Sequence, residues 1–202
     1  GSKALRYLVD LTFLSLSLVG ERFSISDECV KVLCSEGLKH LEKLQTLKID
    51  FSSSKDLTDK GVACLYSEGL KYLRNLTFLD LNFSNCNWIT QGSIIFIVSQ
   101  DFPYLSQLEF LSLDFSLCKN WGEKKNRSFD FQEFKTLTHL KSLMLNFSYS
   151  NLISTETFNS LCLQIILNYK QLEYVSLSLD FSTYGYNKAK QRKTLDFQAP
   201  NS

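Results

Sequence analysis

Leu76-Thr77-Phe78-Leu79-Asp80-Leu81-Asn82-Phe83-Ser84 returns about 32 residues later as Leu108-Glu109-Phe110-Leu111-Ser112-Leu113-Asp114-Phe115-Ser116. It returns again as Leu140-Lys141-Ser142-Leu143-Met144-Leu145-Asn146-Phe147-Ser148. Self-similarity at a fixed period is the mark of a repeat architecture. Working outward, the stretches beginning at Leu11, Leu44 and Leu172 carry the same pattern, so repeats start at residues 11, 44, 76, 108, 140 and 172. Counting each start as position 1, positions 4, 6 and 8 are apolar and alternate with positions 3, 5, 7 and 9, which face outward. That period of two predicts a half-buried strand of about seven residues, with even positions inward.

The second half of each unit changes to helical spacing. Val30, Leu33, Leu38 and Leu41 recur as Val62, Leu65, Leu70 and Leu73, then as Ile94, Ile97, Phe102 and Leu105. Phe129, Phe134 and Leu137 follow, then Phe158, Leu161, Ile166 and Tyr169. Ser26-Asp27, Thr58-Asp59 and Ser154-Thr155 stand where helix N-caps are needed. A single strand–turn–helix unit cannot bury both of its apolar faces, whereas stacked copies share a continuous core. Crossovers between parallel strands are right-handed. A doubly wound sheet would need strands apolar on both faces, and here the outward residues include Lys48, Asp50, Asp80, Asn82, Asp114 and Asn146. The expected fold is therefore an α/β right-handed solenoid, an arc or horseshoe. Six strands would form one parallel β-sheet on the concave face, with helices on the convex face. It would occupy residues 1–186, leaving 187–202 as a basic C-terminal tail or partial cap.

Leucines at positions 1, 4 and 6 make these units resemble the leucine-rich repeat family, whose core reads L-x-x-L-x-L-x-x-N/C-x-L, over nearly the whole chain. The unit is longer than the family's usual 20 to about 29 residues, and the strand carries an extra apolar step before the N/C position. In both respects it is similar to the long-strand repeats of ciliate proteins, and Cys86 to Gly92 also resembles the cysteine-containing subclass. On this alignment the N/C position holds Ser54, Cys86, Cys118, Ser150 and Ser182. These side chains are expected to bond the backbone of neighbouring turns, with Cys86 and Cys118 as buried, inert thiols.

Composition narrows the function. Lys and Arg number 22 against 21 Asp and Glu in 202 residues, a formal charge of +1, so the chain has neither the basic excess of a nucleic-acid binder nor an acidic tail. The longest apolar run, Ile94–Val98, falls far short of the roughly 20 residues that span a bilayer. The six cysteines lack C-x-x-C spacing and only His40 and His139 could join them, which gives no zinc ligand set. The sequons at Asn75, Asn82, Asn126 and Asn146 read as chance, two of them inside strands, and a reducing, cytoplasmic compartment is expected. Gly1-Ser2 reads as an expression scar. Leu5 and Leu8 match the end of a preceding unit, so a fragment of a longer repeat protein is expected.

No nucleophile, base and orienter come together, and no phosphate loop or H-E-x-x-H occurs. The expectation is non-catalytic binding of another protein or peptide on the concave face, with no cofactor, metal or membrane and no nucleic acid. Position 7 supplies the column Asp50, Asn82, Asp114, Asn146, flanked by Ser17 and Ser178. Position 3 supplies Phe13, Phe78, Phe110 and Tyr174, and position 5 adds Lys48 and Asp80. The alternative is a nucleic-acid-associated or larger structural assembly. It would dock through Lys124-Lys125-Asn126-Arg127, through Lys188, Lys190, Arg192 and Lys193, or through convex helices near Ile95, Phe96 and Val98.

Overall fold

The computed structural model describes residues 2–19, 24–93, 103–119, 137–150, 152–181 and 191–198. A short helix α1 (Ser2–Leu5) leads into β1 (Phe13–Ser17), α2 (Asp27–Glu36), β2 (Thr46–Asp50) and α3 (Asp59–Cys64). Then come β3 (Phe78–Asn82), β4 (Phe110–Asp114), β5 (Ser142–Asn146), α4 (Thr155–Asn168), β6 (Tyr174–Phe181) and β7 (Gln191–Gln198). All seven strands form one sheet in sequence order, with β1 to β6 parallel. The register pairs equal repeat positions, Phe78 with Phe110 and Asn82 with Asp114, for example.

The strands of the first five units are five residues long, not seven, and a side-chain turn ends those of the second to the fifth. Asp50, Asn82, Asp114 and Asn146 accept, through Oδ1, the backbone N–H two residues on, at 2.9, 2.9, 2.7 and 3.0 Å. Such Asx turns compete with the ladder for the backbone. The next residue but two is left-handed in every case: Ser53 (φ 61°), Asn85 (58°), Leu117 (60°) and Tyr149 (59°). A side chain there costs about 1–2 kcal/mol. The cost is offset in each unit by an N–H that donates to the following unit, as Leu117 does to the Ser148 carbonyl at 2.9 Å.

Even positions form the core with the helices. Leu79, Leu81 and Phe83 are buried, as are their equivalents Leu111, Leu113 and Phe115. Position 8 builds a phenyl ladder through Phe51, Phe83, Phe115 and Phe147, nearly parallel rings with centroids 5.3, 5.3 and 5.9 Å apart. The anticipated N-caps form: Ser26, Thr58 and Ser154 hydroxyls accept from Cys29, Lys60 and Thr157 N–H. The units are also stapled at these caps. Asp27 accepts from Thr58 N (2.8 Å), Thr58 Oγ1 (2.7 Å) and Gly61 N (2.9 Å), and Asp59 accepts in the same way from Thr90 N, Thr90 Oγ1 and Ser93 Oγ.

Two expectations need correction. The sheet is not wholly parallel: β7 runs antiparallel to β6, with Leu195 opposite Leu177. In the sequence Lys190 and Lys193 stand where the helical spacing of earlier units would put apolar residues, and Thr194, Leu195, Asp196 and Phe197 alternate at the strand period and extend the sheet instead. In the fifth unit Ile165 is buried and Ile166 is 58% exposed. The earlier units end their helices in tight turns at Leu38–His40 and Leu70–Tyr72. The unbroken α4 keeps 3.6 residues per turn, so its inward face falls one residue earlier.

Candidate functional site

The outward positions of the six parallel strands align into three columns on the solvent face of the sheet. The position 7 column is committed to the fold. Besides their turn bonds, Asn146 Nδ2 donates to Asp114 Oδ2 at 3.0 Å, so neighbouring units clasp through the column itself. All four side chains are half-buried. Charge reversal at Asp50 or Asp114 therefore disturbs a turn, and neither is a free surface carboxylate.

Position 3 carries the apolar contacts. Phe78 and Phe110 stack face to face, with centroids 4.0 Å apart and planes 3° from parallel, and both are half-buried. Lys48 holds its Nζ 4.8 Å from the Phe78 ring centre, a cation over a π face. Phe13 and Tyr174 are not joined to this pair, because Thr46 and Ser142 intervene in the register. Phe13 stands alone, 55% exposed.

Position 5 runs along the middle as Ser15, Lys48, Asp80, Ser112, Met144 and Ser176. Among the described residues no hydrogen bond takes up the half-buried Asp80 carboxylate, in contrast with Asp50 and Asp114. The face thus offers an aromatic pair, one ammonium, one uncommitted carboxylate and the thioether of Met144 within two adjacent columns. These groups suit the anchoring of a polypeptide. Among the described residues no three His, Cys, Asp or Glu could hold a metal. His40 lies on the turn Leu38–His40, and His139 places Nδ1 2.9 Å from the Ser106 carbonyl oxygen, in a separate unit.

Sequence reading missed what β7 adds. Its register sets Thr194, Asp196 and Gln198 beside Ser178, Ser176 and Tyr174, and Ser176 Oγ donates to Asp196 Oδ1 at 2.6 Å. The alternation Thr194-Leu195-Asp196-Phe197 was the available signal. The basic run Lys124 to Arg127, the residues Lys188 and Lys190, and the apolar run Ile94–Val98 lie outside the described residues.

The N/C position bonds backbone: Cys86 Sγ donates to the Phe51 carbonyl at 3.2 Å, Cys118 Sγ to that of Phe83 at 3.1 Å and Ser54 Oγ to that of Phe51 at 2.6 Å. Burial pushes the Cys86 thiol up to about 11 and that of Cys118 to about 12, and raises Cys34 further. Thiolate is the reactive form. At pH 8 a thiol reagent should therefore label exposed Cys29 first, and Cys34, Cys86 and Cys118 only on unfolding. Stoichiometric labelling of Cys118 in the native protein, read by peptide mass spectrometry, would contradict this.

Among the described residues no helix is long and apolar enough to cross a membrane. No protein-family model matches the chain, and no curated protein matches it. Among solved structures, an LRR protein of Leptospira interrogans is similar at 13% identity with a TM-score of 0.20, covering 88% of this chain and 58% of its own. The chain spans less than two thirds of that protein's length.

Proposed function

We propose that the chain is a leucine-rich-repeat solenoid that acts as a non-catalytic scaffold, binding another protein or peptide on its concave sheet face inside the cell. The repeat pattern, the in-register parallel strands and the free thiols support this reading. The observation that carries it is the stacked Phe78–Phe110 pair beside Lys48 and the uncommitted Asp80. An aromatic anchor flanked by a cation and an anion is how a small part of an interface supplies most of its binding energy.

The test is quantitative capture from the native source with three baits: wild type, the double variant Phe110→Ala with Asp80→Lys, and Tyr104→Ala. Tyr104 is exposed on a turn away from the sheet face. Proteins that bind the concave face should be retained by wild type and by Tyr104→Ala. They should lose affinity for the double variant by about 2 kcal/mol or more, roughly thirtyfold. Identical capture by all three baits would sink the proposal.

A further inference from the structure

Position 3 of the sheet face reads Phe13, Thr46, Phe78, Phe110, Ser142 and Tyr174, so a small side chain interrupts the aromatic row twice. The first gap shows what such a place holds. Thr46 leaves room beside Phe78, and Lys48, from the same strand, sets its ammonium 4.8 Å from the Phe78 ring centre. Phe110 covers the other face of Phe78 at 4.0 Å, with planes 3° from parallel. The row therefore runs cation, ring, ring, and the second face of Phe110 turns toward Ser142. Beyond Ser142 stands Tyr174, half-buried. At this second gap position 5 is Met144, which brings no charge. Strands step by about 4.8 Å, and the step narrows to 4.0 Å where Phe78 meets Phe110. Two such steps from Phe110 to Tyr174 match the roughly 7 to 8 Å that one planar group needs to touch a ring on each face.

Charge around the gap favours a cation. At positions 3, 5 and 7 of β2 to β6 the face carries Asp50, Asp80 and Asp114 against Lys48 alone. At the entrance to these strands Lys141 lies in register between Glu109 and Glu173 and donates to Glu109 at 3.0 Å. Among the described residues no hydrogen bond takes up the exposed Glu173 carboxylate, next to Tyr174 in the chain. Resting on the concave-face reading above, we propose that the gap over Ser142 receives an arginine side chain of the bound polypeptide. Its guanidinium lies flat between Phe110 and Tyr174, and Glu173 accepts from its outer N–H groups. Guanidinium is planar, as the width requires, always charged, and weakly enough hydrated to stack on aromatic faces, whereas an ammonium is compact and strongly hydrated. The arginine repeats on Phe110 what Lys48 does on Phe78. Both rings separate the two cations, beyond the roughly 8 Å over which salt screens charge.

Random peptides displayed on phage and panned against the whole chain should be enriched in arginine over lysine. In the best binder, made synthetically, replacing that arginine by lysine keeps the charge without the plane, and replacing it by citrulline keeps the plane without the charge. Each should weaken binding about fivefold or more by calorimetry, within the range of a desolvated cation–π contact. Ser142→Phe fills the gap with the residue that Phe78 and Phe110 already place at this position, and should remove the preference for arginine. Should that variant lose its circular dichroism, Tyr174→Ala decides instead, by taking away the far wall and narrowing the preference. Peptides that the Phe110→Ala, Asp80→Lys double variant no longer binds, but that tolerate lysine, citrulline and the altered gap, would overturn the arginine site and leave the concave-face reading standing. Peptides that bind the double variant undiminished, or a library that yields no binder, would overturn both.

Discussion

Phe83→Ala should lower folding stability by about 3 to 5 kcal/mol, the range for deleting a fully buried phenyl group. Phe83 is 1% exposed and stacks on both sides, against Phe51 and Phe115 at 5.3 Å each. Its removal takes away buried area, opens a cavity and breaks two ring contacts together. Because each unit touches chiefly its neighbours, the break weakens the packing of this unit against those on both sides. Phe147 ends the described ladder with one stacking partner, Phe115, so Phe147→Ala should cost less. Urea unfolding of both variants gives the comparison, and an equal loss would show that the rings act singly.

Asp27→Ala should cost about 2 to 3 kcal/mol, the scale of hydrogen bonds to a charged acceptor whose donors are then left unpaired. Its carboxylate satisfies the Thr58 and Gly61 amides and the Thr58 hydroxyl, all in the next unit. The fit is close: a methyl group on Gly61 would stand 2.5 Å from Asp27 Oδ1. Asp27→Asn keeps one acceptor oxygen and should lose roughly half as much. Chemical denaturation with amide exchange at Gly61 reads both effects, and an Asp27→Ala loss within about 0.5 kcal/mol, the range of ordinary surface changes, would refute the staple.

The strand register and the core were legible because period-two leucines can be buried in only one way, and a slip by one residue would expose Leu79, Leu81 and Phe83 together. The end of each strand was not. Asp50 and Asn82 look like solvent-facing residues in the alternation, and only the backbone path shows their Oδ1 atoms turned back onto Ser52 and Ser84. Ile166 was misplaced because unit-to-unit comparison assumes equal helices, whereas a tight turn in one unit and an unbroken α4 in another shift the inward face. β7 escaped notice for a similar reason: two lysines marked the failure of a helix without saying what replaced it. Of the candidate site, the position 3 aromatics could be read from spacing. That Phe78 and Phe110 meet while Phe13 and Tyr174 stay apart, and that Asp80 keeps its carboxylate unspent where Asp50 and Asp114 do not, depends on which residue fills the same place in the unit next door.

The two aromatic stacks also measure bending. Strands lie about 4.8 Å apart. On the helix side the phenyl rings are spread to between 5.3 and 5.9 Å, and on the solvent side Phe78 and Phe110 close to 4.0 Å. A strip stretched on one surface and compressed on the other curls toward the compressed one. In the solenoid proposed above, the bulk of the core rings would set the radius of the face that carries Phe78, Phe110 and Asp80, and trimming an interior ring should flatten a surface it never touches.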